Sequence, residues 1–355
     1  MPFNKRMPIK TNLLEQVMFY TFNAAPGPML DLAGALSYQA VSAAVTLGIF
    51  EALRQEPRGA PDLAQAVGAQ ERGVVSLLQA LEATGYVEQQ RDGRYRNTAM
   101  TARWFDARAG IDMNAATRIW GVYLRELWPL AAEVIRTGER PYDFYEFIGA
   151  DPSRSSDFQQ MMVGNAHLTA PDIIKKLPPL PPGANLLDVG GGHGVFAIEF
   201  CRAYPDLQAT IIDTPIALQS ARQNVAAAGL AGQIALREGD LWQLDWDGPY
   251  DLILLFNLLH HYDQETNVRL LQKTRQALKA GGRLAILEQV AGDVFGSASQ
   301  AIVRLVALMY YLFADGRVYT EEEFRAMLAE SGFTTVDFHS LAKAPGNKLI
   351  TAVAP

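Results

Sequence analysis

Asn185-Leu186-Leu187-Asp188-Val189-Gly190-Gly191-Gly192-His193-Gly194-Val195-Phe196-Ala197 is the stretch that decides how the rest of the chain is read. A short apolar run ends in an acid, passes through glycines and opens an apolar-periodic segment, which predicts strand, loop and helix. Glycine belongs where the backbone takes positive φ or comes close to a ligand, and Gly190, Gly192 and Gly194 alternate to allow both. The helix behind them offers free N–H groups and the positive end of its dipole. Such a loop binds a nucleotide-type cofactor. Two cofactor classes fit the pattern. Gly192-x-Gly194-x-x-Ala197 satisfies a relaxed dinucleotide fingerprint. Asp188, however, precedes Gly190 closely, and a carboxylate there suits a ligand carrying an ammonium and a sulfonium while repelling a pyrophosphate.

Around this loop lie 355 residues, enough for two domains with a substantial core. Hydrophobic residues make up 49% and charged residues 19%, as in ordinary globular proteins, and the net charge of −7 gives no field favouring nucleic acid or an anionic membrane. The single cysteine, Cys201, falls in the helix after the glycine loop and reads as a buried structural thiol. Lys5, Arg6 and Lys10 are followed by Glu15 and Gln16, which interrupt any signal-type apolar run. Residues 305–313 are too few to span a bilayer and are bounded by Arg304 and Asp315. A soluble, cytoplasmic protein with no membrane or nucleic-acid partner is expected.

In the first third, residues 31–53, 61–67 and 71–84 show apolar residues at helical spacing. Residues 86–89 and 95–98 then flank the turn signal Asp92-Gly93. Three helices and a hairpin make a winged helix, an arrangement often used on DNA. The third helix would then carry basic or amide side chains, but it offers Arg72 and Gln79 against Glu71 and Glu82. Arg91, Arg94 and Arg96 on the wing are the better support for a DNA-binding regulator. A dimerisation module fits the apolar faces better.

Residues 104–176 read as mostly helical and carry many aromatics, among them Trp104, Trp120, Tyr123, Trp128, Tyr145 and Phe158, with Met161, Met162 and His167 following. Singly each is a core residue; as a set they suggest walls of an apolar pocket, with His167 read foremost as a structural histidine. Leu177-Pro178-Pro179-Leu180-Pro181-Pro182-Gly183 is a stiff linker opening the last domain. Thereafter strands at 208–213, 233–237, 250–256 and 283–287 alternate with helices at 215–228 and 264–279, predicting a parallel sheet with ligands at its carboxyl edge. A helix at 321–330 and strands at 334–341 and 348–353, joined by Pro345-Gly346-Asn347, close the chain with an antiparallel hairpin.

The Asp-x-Gly-x-Gly-x-Gly loop resembles the first motif of class I S-adenosylmethionine-dependent methyltransferases, and the terminal hairpin agrees with that class rather than with nicotinamide domains. Over nearly the whole chain the pattern is similar to the plant-type small-molecule O-methyltransferases, in their bacterial branch. The resemblance implies a dimerisation domain at 1–103, a substrate-lining segment at 104–177 and a Rossmann-like α/β methyltransferase domain at 178–355. It implies S-adenosylmethionine as cofactor, a small aromatic acceptor and a homodimer formed through the N-terminal helices, with 12–25 and 31–53 as the apolar stretches concerned. Asp188, Gly190, Gly192, Gly194, Asp213, Asp240, Leu241 and Asn257 would line the cofactor site, with Asp213 on the ribose hydroxyls. Trp120, Tyr123, Phe158, Met161, Met162, His167 and His261 would line the acceptor pocket.

His260, in Phe256-Asn257-Leu258-Leu259-His260-His261-Tyr262-Asp263, resembles the family's general base, and Glu288 matches the acid that orients it. The chemistry asks for such a pair: a phenol titrates near ~10, so a base working near neutrality must take its proton. The alternative for His260 is a polar cap on the following helix. Three positions depart from the family. His261 replaces an aspartate, Val318 stands where many plant members have a second acid, and Phe256 replaces a lysine. His260, His261 and Glu288 also form a conceivable metal set, which would favour methylation at carbon; the reading adopted has no metal. The alternative functions are C- or N-methylation on the same scaffold, a ligand-sensing DNA-binding regulator, and a repurposed relative that binds cofactor without transferring methyl, which the missing second acid at Val318 leaves open.

Overall fold

The computed structural model describes residues 13–22, 27–106, 113–292, 297–344 and 346–355. Lys5, Arg6, Lys10 and Pro345 lie outside them, as do residue 12 and residues 23–25 of the first apolar stretch. The chain forms two compact units: Met1–Glu126 with Ser156–Met161, and Leu127–Ser155 with Met162–Pro355.

In the first unit the predicted helix at 31–53 is two helices, Gly27–Leu47 and Ile49–Ala52, because Gly48 takes φ 75° and breaks the run. Helices Ala60–Ala66 and Glu71–Ala83 follow, then strands β1 (Val87–Gln89) and β2 (Tyr95–Asn97), paired antiparallel around Gly93. The helix Glu71–Ala83 buries Val74, Leu78 and Leu81 against Val41, Ala44, Val45, Ile49, Phe50 and Leu63. Each such aliphatic side chain contributes about 2 kcal/mol by leaving water. Gly27–Leu47 is long and apolar enough to cross a membrane by length and composition, yet its last turns pack into this core. On the wing, Arg94 pairs with Asp92 at 2.8 Å and Arg96 with Glu88 at 2.6 Å, so two of the basic groups raised for DNA are balanced by acids of the same hairpin.

The second unit is built on an eight-stranded sheet. Its strands are β3 (Asn185–Val189), β4 (Gln208–Asp213), β5 (Ile234–Glu238), β6 (Tyr250–Phe256), β7 (Leu278–Ala291), β8 (Tyr319–Thr320), β9 (Thr334–Ser340) and β10 (Asn347–Val353). They run in the order β5-β4-β3-β6-β7-β10-β9, with β8 beside the end of β7. The first five are mutually parallel, and β10 is antiparallel to both β7 and β9. Both faces of β3 and β6 are apolar. Leu186, Leu252 and Leu254 point into one core layer, and Leu187, Ile253 and Leu255 into the other, as expected of strands covered on both sides. The chain enters at β3, moves outward through β4 and β5, then returns to β6 on β3's other side. That reversal opens a crevice at the carboxyl ends of β3 and β6.

Two elements differ from expectation. β7 is much longer than the predicted 283–287, because it pairs with β6 on one side and β10 on the other; Glu288 therefore lies inside it, opposite Lys348, rather than just after it. The short β8, which pairs Val290 with Tyr319, is too brief to carry an alternating pattern.

Candidate active site

After β3 the loop turns through Gly190, Gly192 and Gly194 with φ of 70°, 44° and 73°. Gly191 is required for a different reason: a Cβ there would lie 2.6 Å from Asp188 Cγ. The sequence reading passed over it because its need is close approach, not backbone angle. His193 closes the loop. Its Nδ1 accepts the Val195 N–H at 3.1 Å, one of the free donors of the helix Val195–Ala203, and its carbonyl accepts from Asn224 Nδ2 at 2.8 Å. Burial holds the His193 imidazole down to about 4, so it stays neutral and remains an acceptor.

Asp188 is 1% exposed, and among the described residues neither of its carboxylate oxygens has a hydrogen-bond partner. Burial, reinforced by the nearby Asp213, pushes its carboxyl up to about 7. Asp213, at the end of β4, accepts the Gly192 N–H at 2.9 Å and the Thr214 N–H at 2.7 Å, and burial raises it too. An enclosed carboxylate without a donor, beside a second acid, is stabilised by a cationic ligand and destabilised by a phosphate. The residues therefore fit a sulfonium cofactor with an amino-acid tail, and the dinucleotide alternative does not fit them.

Beyond β5, Asp240 accepts the Trp242 N–H at 2.9 Å. The turn it starts is tied by Lys273 Nζ, which donates to the carbonyls of Leu241 and Leu244 at 2.7 Å and of Trp242 at 3.2 Å. Lys273 comes from the helix Gln264–Ala277, and no local pattern links it to the turn. Asn257 directly follows β6 with φ 53°, and its N–H donates to the Leu287 carbonyl at 2.8 Å.

His260 stands on the short turn Leu259–His261 directly after. Its Nδ1 lies 2.8 Å from Glu288 Oε2, while Glu288 Oε1 accepts the Leu259 N–H at 2.8 Å. Asn267 Nδ2 donates to the Leu259 carbonyl at 3.0 Å and fixes the turn from below. His260 is 8% exposed and Glu288 1%. The capping alternative for His260 fails, because Asp263 caps the helix Gln264–Ala277 by accepting the Thr266 N–H. With a carboxylate on Nδ1, the imidazole places its proton there and leaves Nε2 as a base, and the imidazolium formed on protonation is held by the same carboxylate.

His261 Nε2 lies 2.8 Å from the Tyr145 hydroxyl, and burial holds that imidazole down to about 3. Since Glu288 spends both oxygens on protein N–H groups, the three side chains do not converge as metal ligands; among the described residues no cluster of His, Cys, Asp or Glu does. Of the residues expected in the acceptor pocket, Trp120, Tyr123, Phe158 and Met161 belong to the first unit, where Trp120 and Tyr123 pack edge to face at 5.8 Å. Met162, His167 and His261 belong to the second. His167 faces Glu199 at 3.6 Å, on the helix behind the glycine loop, and is grouped by contact with that helix rather than with His260. Cys201 is buried, and burial pushes its thiol up to about 11.

Residues 135–334 match the O-methyltransferase domain family, and residues 30–106 match the O-methyltransferase dimerisation domain. The chain is 30% identical over 332 residues to 3-hydroxy-5-methyl-1-naphthoate 3-O-methyltransferase of Streptomyces sahachiroi, covering 92% of this chain and 95% of that one. It is 29% identical to the mitomycin biosynthesis 6-O-methyltransferase of Streptomyces lavendulae, over 85% of this chain and 86% of the other. The solved mitomycin 7-O-methyltransferase MmcR superposes with a TM-score of 0.80 at 24% identity, over 96% of this chain and 99% of that one, a likeness of fold. The chain belongs to the O-methyltransferase family, whose enzymes take their methyl group from S-adenosylmethionine.

Proposed function

We propose that this methyltransferase acts on a hydroxyl of a small aromatic secondary metabolite, with His260 as general base and Glu288 orienting it. The observation that carries this is the 2.8 Å contact between Glu288 Oε2 and His260 Nδ1, which leaves Nε2 as the basic nitrogen. The glycine loop, Asp188, Asp213 and Asn257 would hold the cofactor, with Asp240 and Leu241 flanking its adenine. When bound, S-adenosylmethionine would supply an electrophilic methyl carbon, with a neutral thioether as the leaving group. His260 Nε2 would take the proton of the acceptor hydroxyl as that oxygen is methylated, and Glu288 would balance the imidazolium. A positioned base of this kind contributes roughly 10²–10⁴ in rate, and in-line placement supplies the rest.

Support for the acceptor class comes from the relatives, named as a 3-hydroxy-5-methyl-1-naphthoate 3-O-methyltransferase and a mitomycin biosynthesis 6-O-methyltransferase. The division at 103 and 177, and the pocket assignment of Trp120, Tyr123, Phe158, Met161 and Met162, remain part of this proposal on the family resemblance. So does a cytoplasmic homodimer, supported by the dimerisation-domain match and by the exposed apolar side chains of Leu13, Leu14, Met29, Leu32 and Leu36. Mass spectrometry of products from matched panels of phenols, anilines and enolisable ketones tests the reading. O-methyl products from phenols are expected; exclusive methylation of nitrogen or carbon contradicts it.

A further inference from the structure

The family's second acid is missing at Val318, yet the His260 ring is closely held. Its ring lies parallel to that of Tyr310, with centroids 4.4 Å apart and planes 17° apart. Tyr310 comes from the helix Ser297–Ala314. The backbone just beyond that helix reinforces the stack. Gly316 N–H donates to the Tyr310 carbonyl at 2.9 Å, and Arg317 N–H donates to the His260 carbonyl at 2.7 Å. A side chain at Gly316 would press on both partners, since a Cβ there would lie 3.0 Å from the His260 oxygen and 3.1 Å from Tyr310 Cβ. The segment that lacks the acid thus grips the histidine by ring and backbone instead.

We propose that Tyr310 is a positioning residue for His260, its ring face fixing the imidazole plane and stabilising the imidazolium formed as the acceptor loses its proton. The inference rests on the reading of His260 as the base. A cation over an aromatic face is attracted by the ring quadrupole, and the attraction strengthens where water is excluded. The neutral imidazole gains less, so the contact favours the charged form. The other groups facing His260 are Glu288 from β7, which also favours charge, and His261, 4.1 Å away by ring centroids. His261 is held neutral by burial and adds no opposing charge, while the Tyr145 hydroxyl lies on its far nitrogen. The Arg317 guanidinium is turned away onto Glu323 at 2.9 Å. Burial keeps the Tyr310 phenol protonated, so the ring face is its contribution.

Steady-state kinetics on Tyr310→Leu, Tyr310→Met and Tyr310→Phe test this, with S-adenosylmethionine affinity measured by calorimetry and His260→Ala as reference. Removing the face is expected to lower kcat about 3- to 30-fold. The acidic limb of kcat/KM should move to lower pH, and cofactor affinity should change less than about twofold. Tyr310→Phe keeps the face and should behave as wild type. Gly316→Ala, which displaces the stack from the other side, should reproduce the kcat loss if the Leu and Met variants fold poorly. Wild-type kcat and pH limb in Tyr310→Leu or Tyr310→Met, or an equal loss in Tyr310→Phe, overturns the proposal. Wild-type activity in His260→Ala instead overturns the base assignment beneath it.

Discussion

Glu288 bonds both the side chain and the turn of the residue it serves: Oε2 lies 2.8 Å from His260 Nδ1, and Oε1 accepts the Leu259 N–H at 2.8 Å. One carboxylate therefore sets the tautomer and the position of the ring together. Glu288→Gln keeps the shape but loses the charge that stabilises the imidazolium. It should lower kcat roughly 10²-fold or more, with cofactor affinity nearly unchanged. Single-turnover methyl transfer alongside calorimetry checks this.

Asp188 makes stability depend on pH in an unusual direction. Its folded carboxyl is pushed up to about 7 from an ordinary 3.8, so the folded state keeps a proton that the unfolded chain has released. Its contribution is full below about pH 4 and is lost as pH rises through about 7. Asp213 is raised as well and acts in the same sense. Thermal melts of the ligand-free protein should show a wild-type Tm falling relative to Asp188→Asn by roughly 5 °C between pH 5 and pH 8. A constant difference across that range would falsify the assignment.

His193 acts on the cofactor loop through an N–H it accepts, not through acid–base chemistry. His193→Ala frees the Val195 donor and loosens the loop, a loss of about 1 kcal/mol typical of a missing helix cap. S-adenosylmethionine should bind about fivefold more weakly while kcat at saturation holds. A selective loss of kcat would assign His193 to the chemical step instead.

Lys273 ties the turn after β5 through three carbonyls, one ammonium doing what three separate donors otherwise would. Lys273→Met leaves those oxygens short of a charged donor, and each such bond is worth about 1.5–3 kcal/mol. The expected result is cofactor affinity reduced about tenfold or more, with KM for the acceptor little changed. Equal effects on both substrates contradict a local role.

What the sequence made readable follows the range of the interactions. The glycine loop and the alternating strands and helices are local patterns, legible in the sequence itself. The roles of Asp213, His260 and Glu288 are legible through the family resemblance rather than from any local pattern. Lys273 and Tyr310 are not legible, since each acts on a partner brought near only by folding: Lys273 reaches back to residues 241–244, and Tyr310 lands on His260. Gly191 is local to the loop, but its need is room beside the Asp188 carboxylate, which no spacing displays. The true extent of β7 is hidden likewise, because its ends are set by pairing with β6 at Leu278 and with β8 at Val290 and Ala291 rather than by its own residues.

The central claim is that His260 removes the acceptor proton, and its most direct test is single-turnover transfer by wild type and His260→Ala at saturating S-adenosylmethionine, with calorimetry confirming that both are loaded. Cofactor binding within about twofold and transfer slowed roughly 10²–10⁴-fold are predicted. Transfer at the wild-type rate by the loaded His260→Ala enzyme would contradict the account.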